Sequence, residues 1–98
     1  MYIVRDIFQL KFGHYKPAKA LLDKAIESGM MPDAAFSKVY SDFTGDSYRL
    51  IFEEGYDSLA DYEKALNTGM AKPEWQEWYG SFKEHIVSSH REILKQVV

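Results

Sequence analysis

Three groups of side chains in this sequence could do chemistry, and the spacing within each group limits what chemistry that is. The histidines are His14, His85 and His90. His85 and His90 are five residues apart, which is neither the HxH nor the HxxxH spacing of a local metal-binding pair. No preformed metal site is expected, and each histidine reads first as a surface or packing residue. His14 falls where a strand gives way to a helix, and with Asp6 it is a candidate catalytic residue. Asp6 is the sharper oddity, because its neighbours on the same side of the opening strand are Val4 and Phe8. If buried there, its carboxyl should titrate high and could serve as a general base.

The second group is aromatic. Trp75, Trp78, Tyr79, Phe82 and Ile86 fall on one helical stripe. Trp75, Trp78 and Tyr79, joined by Tyr40, either line a pocket between helix and sheet or simply fill the core. The third group is charged. Arg5 and Arg49 sit within strands, where an unpaired buried ion is costly. Each either forms a salt bridge, lines a hydrated interior or meets an acidic substrate. Asp6, His14 or Arg49 would be the polar handle of an otherwise apolar pocket. Glu53, Glu54 and Asp57 form an acidic run that could hold a divalent cation, but a solvated strand end accounts for it more simply. No glycine-rich phosphate loop, nucleophile elbow or Ser/His/Asp pattern is present.

These groups have to be positioned by a small scaffold. The chain has 98 residues, which is room for one domain spanning 1–98. Its net charge of −3, with scattered Lys and Arg, gives no basic stripe for nucleic acid. No apolar run approaches the ~20 residues of a membrane span. The N-terminus lacks the basic start and long apolar middle of a signal peptide, so the cytoplasm is the expected compartment. Without cysteine there is no disulfide, thiolate metal site or Cys nucleophile.

Alternation predicts a strand over Tyr2–Phe12, ended by Gly13. Pro17 opens a helix whose apolar face is Ala18, Leu21, Leu22, Ala25 and Ile26, with Gly29 as its C-terminal cap. Ala35–Phe43 and Ser47–Glu54 read as the arms of a hairpin turning at Thr44-Gly45-Asp46. Ser58 and Asp61 have capping-box spacing before a short helix, and Pro73 opens another. Arg91–Val98 reads as a closing strand. The order β-α-β-β-α-(α)-β predicts a ferredoxin-like α+β fold, a four-stranded antiparallel sheet with helices on one face. Both sides of the strands carry large apolar groups, so the uncovered face is expected to pair with a second copy as a homodimer.

The opening strand Ile7-Phe8-Gln9-Leu10-Lys11-Phe12-Gly13 and the closing Trp75, Trp78, Phe82 and Arg91-Glu92-Ile93-Leu94 resemble the dimeric α+β-barrel superfamily, and most of all its NIPSNAP-type branch. Many relatives open with Leu-Lys-Pro-Gly. Here Phe12 replaces that proline, and Asp6 stands where NIPSNAP proteins tend to have arginine. The resemblance implies a dimer whose sheets form a barrel. It also implies a range of activities that includes small cofactor-independent monooxygenases, haem-degrading enzymes and many members of no known activity. The superfamily's haem binders use an axial histidine, for which His85 on the third helix is the candidate. Otherwise no cofactor is predicted. Two functions remain open: a monooxygenase-like enzyme or binder of a small apolar or aromatic metabolite, and a non-catalytic dimeric structural or interaction module.

Overall fold

A computed structural model describes Met1–Val98 throughout. The elements run β1 (Tyr2–Leu10), α1 (Tyr15–Glu27), β2 (Phe36–Ser41), β3 (Arg49–Tyr56), α2 (Leu59–Met70) and α3 (Pro73–Phe82). A 3-10 turn (Lys83–His85) then leads into β4 (Ile86–Lys95). The strands form one sheet in the order β2-β3-β1-β4, every neighbouring pair antiparallel. This is the ferredoxin-like α+β arrangement that the element order predicts.

Alternation along each strand decides what each face carries. Val4, Phe8 and Leu10 of β1 share the helix-covered face with Leu50, Phe52, Glu54 and Tyr56 of β3. Ile3, Arg5 and Ile7 share the open face with Ile51 and Glu53. The helices close over the first face. Ala18, Leu22 and Ala25 turn inward from α1, and the two alanines let its backbone lie close to the sheet. Phe82 at 0% exposure, with Leu10, Leu22 and Leu50, is the centre of the core. Truncating Leu22 to alanine would cost about 2–5 kcal/mol.

Each helix carries the boundary signal read in its sequence. Gly29 ends α1 at φ +71, a region most side chains avoid. There the Met30 N–H reaches the Ala25 carbonyl at 3.0 Å and the Gly29 N–H reaches Ile26 at 3.2 Å, which satisfies two otherwise orphaned carbonyls. Ser58 accepts the Asp61 backbone N–H at 3.1 Å to start α2. Pro73 occupies the first turn of α3.

Three boundaries differ from the sequence reading. β1 stops at Leu10, before Phe12, whose side chain is exposed. The first hairpin arm is shorter, stopping at Ser41, and the second is displaced by two residues to Arg49–Tyr56, because residues 42–48 make a wide loop in place of a tight turn. Ser47 and Tyr48 take left-handed φ values of 66° and 55° there, and Arg49 clasps Asp42 across the loop's base. The closing strand begins at Ile86, five residues earlier than Arg91, and ends at Lys95. Ile86 has helical spacing from Phe82, yet the helix ends at Phe82 and Ile86 pairs with Leu10. The β1–β4 register shifts there, pairing Gln9 with Ser88 and leaving Val87 as the extra residue of a bulge.

Candidate functional site

Between the covered sheet face and the helices lies a cavity of about 250 Å³. Phe8 and Phe52 form its floor, packed with ring centroids 5.1 Å apart. Met30, Met31 and Pro32, which follow the α1 cap, form one wall. The inner faces of α2 and α3 supply the rest, including Leu66, Met70, Trp75 and Tyr79. Flexible thioethers and flat rings suit an apolar guest of variable outline. The volume lies a little below the ~300 Å³ at which drug-sized pockets begin, so the guest is small.

One end of the cavity is polar. Asp6 pairs with Arg91 directly across β1 and β4, Nε to Oδ1 at 2.5 Å, and Arg91 also donates to Tyr62 Oη at 2.8 Å. Beside them Glu54 is 7% exposed and Tyr56 is 2% exposed. Tyr56 Oη donates to Glu54 Oε2 at 2.7 Å. Burial holds the Glu54 carboxyl above its ordinary value; the bond from Tyr56 and the charge of Arg91 oppose this, and the charge of Asp6 adds to it. The Tyr56 phenol is raised as well, first by burial and then by its bond to Glu54. Burial acts to lower Arg91, but the bond to Asp6, the charge of Asp6 and the smaller pulls of Tyr62 and Glu54 together outweigh it and hold the guanidinium above its ordinary value. The end therefore carries a closed ion pair and, beside it, a carboxyl that keeps its proton to higher pH than an exposed glutamate does. Such a group can give a proton or a hydrogen bond to a carbonyl or hydroxyl oxygen of a guest.

The aromatic stripe divides between its two readings. Trp78 is core: it is 7% exposed, its indole N–H donates to the Leu21 carbonyl at 2.7 Å, and it stacks on Phe82 at 4.8 Å. Trp75 and Tyr79 stack at 6.0 Å and stand towards the cavity opening, where Tyr79 is exposed. Asp6 lines the cavity, but as half of an ion pair. The isolated buried carboxyl is Glu54.

Four expected site residues lie elsewhere. Tyr40 is on the open face of β2, with its hydroxyl 3.5 Å from Glu53. Arg49 is the loop clasp to Asp42. His14 and His85 are outside the cavity and face each other. His85 sits in the 3-10 turn and not on the third helix, so its ring does not enter the cavity as an axial ligand would. Arg5 bridges Glu53 at 2.9 Å and Glu92 at 3.3 Å on the open face. Glu54 is the residue that the acidic-run reading missed. The signal for it was the alternation Leu50, Phe52, Glu54, Tyr56, which puts it on the covered face.

Fold and cavity together define a small α+β protein of the ferredoxin-like kind with an interior pocket under its helices. Residues 7–98 match the NIPSNAP family model, and the chain belongs to the NIPSNAP family. No curated protein matches the chain. Among solved structures it is similar to protein Atu4242 from Agrobacterium tumefaciens, with a TM-score of 0.88 at 16% identity over 97% of this chain and 92% of that one. An uncharacterised NIPSNAP domain protein from Burkholderia xenovorans gives a TM-score of 0.84 at 11% identity, over 99% and 95% of the two chains. An antibiotic biosynthesis monooxygenase gives 0.76 at 16% identity, over 100% of both chains. At these identities the likeness establishes the fold.

Proposed function

We propose that this protein holds a small, uncharged, apolar or aromatic metabolite in the cavity, with its one polar atom turned towards Glu54. The observation that supports this is the juxtaposition of an aromatic and thioether lining with a buried carboxyl whose only partner is Tyr56. An anion is disfavoured, because Asp6 already occupies Arg91. A monooxygenase-like version of the reading uses Glu54 as the proton donor to the bound substrate. No cofactor is needed to bind such a guest.

The test is native mass spectrometry and thermal shift against a panel of phenols and quinones. Ala65→Phe, which puts a ring into the cavity from α2, is expected to abolish any shift while the fold persists. A panel that shifts wild type and Ala65→Phe equally would refute the cavity as the site and favour the non-catalytic module.

We also propose that the open sheet face pairs with a second copy. Ile3, Ile7 and Ile51 are half-buried, and Leu94 and Tyr40 are exposed on a face that no helix covers. Arg5 holds its charge against Glu53 and Glu92 at the centre of that face, so burying it leaves no unpaired cation. Ile51→Lys is expected to turn a dimer into a monomer in sedimentation. No helix is long and apolar enough to cross a membrane. The cytoplasm is the compartment this reading assumes, and cell fractionation checks it.

A further inference from the structure

Of the three helices, α2 is the one the core does not hold. α1 turns Ala18, Leu22 and Ala25 inward and α3 buries Trp78 and Phe82, whereas none of the 12 residues of α2 is buried. The cavity is the reason. Tyr62, Ala65, Leu66 and Gly69 recur at the spacing of one helical face, and all are half-buried and line the cavity. A side chain facing empty space has no partner atoms on that side and forfeits their dispersion attraction. α2 therefore roofs a void, without the apolar packing that stabilises most helices in proteins.

Polar contacts hold it instead. Ser58 caps its start, and Asp61 in its first turn suits the helix dipole. One hydrogen bond joins α2 to the sheet: Arg91 Nη1 donates to Tyr62 Oη at 2.8 Å. Arg91 is itself fixed by its bond to Asp6, so this latch is firm on its sheet side. On the helix side the Tyr62 ring meets Tyr56 edge-on, with centroids 5.3 Å apart. At the far end Gln76 reaches the Met70 carbonyl at a long 3.4 Å. Gly69 weakens the last turn further, since glycine loses more backbone freedom in a helix than alanine does. A β-carbon at that position would meet nothing within 4 Å.

We propose that α2 is the lid of the cavity and opens by local unfolding, with the bond between Arg91 and Tyr62 as its latch. This deepens the binding role proposed above and rests on it. A helix of this length without a packed face is marginal in water. Breaking one charge-assisted bond is then enough to let α2 melt while the sheet, α1 and α3 stay folded. Melting widens the opening beside Trp75 and Tyr79 and admits a guest. A bound guest supplies the contacts that the void withholds, so it favours the closed helix.

The experiment is amide hydrogen exchange of the full chain, read element by element, first without any guest. In wild type the α2 amides are expected to exchange about tenfold faster than those of α1, or more. Tyr62→Phe keeps the ring and removes the latch, and should speed α2 about tenfold while leaving α1 unchanged. Gly69→Ala should slow α2 about fivefold. If α2 exchanges as slowly as α1 in wild type, a comparison that needs no variant to fold, the lid is overturned. It is also overturned if Tyr62→Phe speeds every element alike, because the bond would then support only the fold as a whole. Saturating 1-naphthol, a small uncharged aromatic probe, is then added and should slow exchange in α2. If it protects no element while the free-protein pattern holds, the cavity fails as a binding site and the opening of α2 stands.

Discussion

Tyr56 Oη donates to Glu54 Oε2 at 2.7 Å, a bond between two side chains that share a face of β3 because they are two residues apart on one strand. It is the partner of a carboxyl that would otherwise be alone under the helices. A buried carboxylate would be costly, and the bond from Tyr56 only partly offsets that cost, so Glu54 keeps its proton to higher pH than an exposed glutamate does.

That retention has a sign. The folded protein holds the Glu54 proton at pH values where the unfolded chain has released it, so the folded state binds more protons and stability falls as pH rises. The fall begins near the ordinary value of 4.5 and continues upward through Glu54's raised value. Glu54→Gln removes the titration while keeping the shape. Its melting temperature should therefore decline less than wild type between pH 5 and pH 8. Superimposable profiles would show that Glu54 is not the group responsible.

Asp42 works in the opposite direction. The Arg49 guanidinium that clasps it holds its carboxyl below the usual value, so its contribution is present above that value and is lost as pH falls through the lowered one. Asp42→Asn should flatten the acid limb of the stability profile and leave the alkaline limb unchanged. The two variants thus separate a loop clasp from a cavity carboxyl in a single set of melts.

The two tryptophans of α3 should separate just as clearly. Trp78→Ala removes a buried ring and leaves the Leu21 carbonyl without its indole partner, and about 3–5 kcal/mol of stability should go with it. Trp75 is half-buried beside the cavity, so Trp75→Ala should cost about 1–2 kcal/mol and act mainly on guest binding. Urea unfolding of both variants, read beside the ligand-induced thermal shift, checks this. Equal losses of stability would mean that Trp75 is core.

What could be read from the sequence follows the range over which each signal acts. Gly29, Ser58 and Pro73 act within a turn of their own positions, and each marks its helix end as read. Ile86 misled because spacing from Phe82 cannot tell a further helical turn from a strand beginning after a 3-10 turn; pairing with Leu10 decides that. Ser88, Ser89 and His90 lack strand character, and β4 exists there because β1 offers it hydrogen bonds. At Glu54, charge composition competed with alternation, and alternation was the better guide. The approach of His14 to His85 depends on the whole fold, so no local pattern announced it.

Gly55 shows how a close approach across two strands can be tested as a relationship. It lies opposite Phe36 of β2, and a β-carbon built on it would stand 2.2 Å from Phe36 Cε1. The ring occupies the space that a side chain would need, so glycine and phenylalanine require each other. Gly55→Ala alone should destabilise by about 1–3 kcal/mol, because the ring must leave its place. Glycine is otherwise a poor strand residue, losing more backbone freedom on folding than alanine does. In a Phe36→Ala background the same substitution should therefore become neutral or slightly stabilising. A double-mutant cycle in urea measures the coupling, and strictly additive effects would mean that the ring is not what excludes a side chain at position 55.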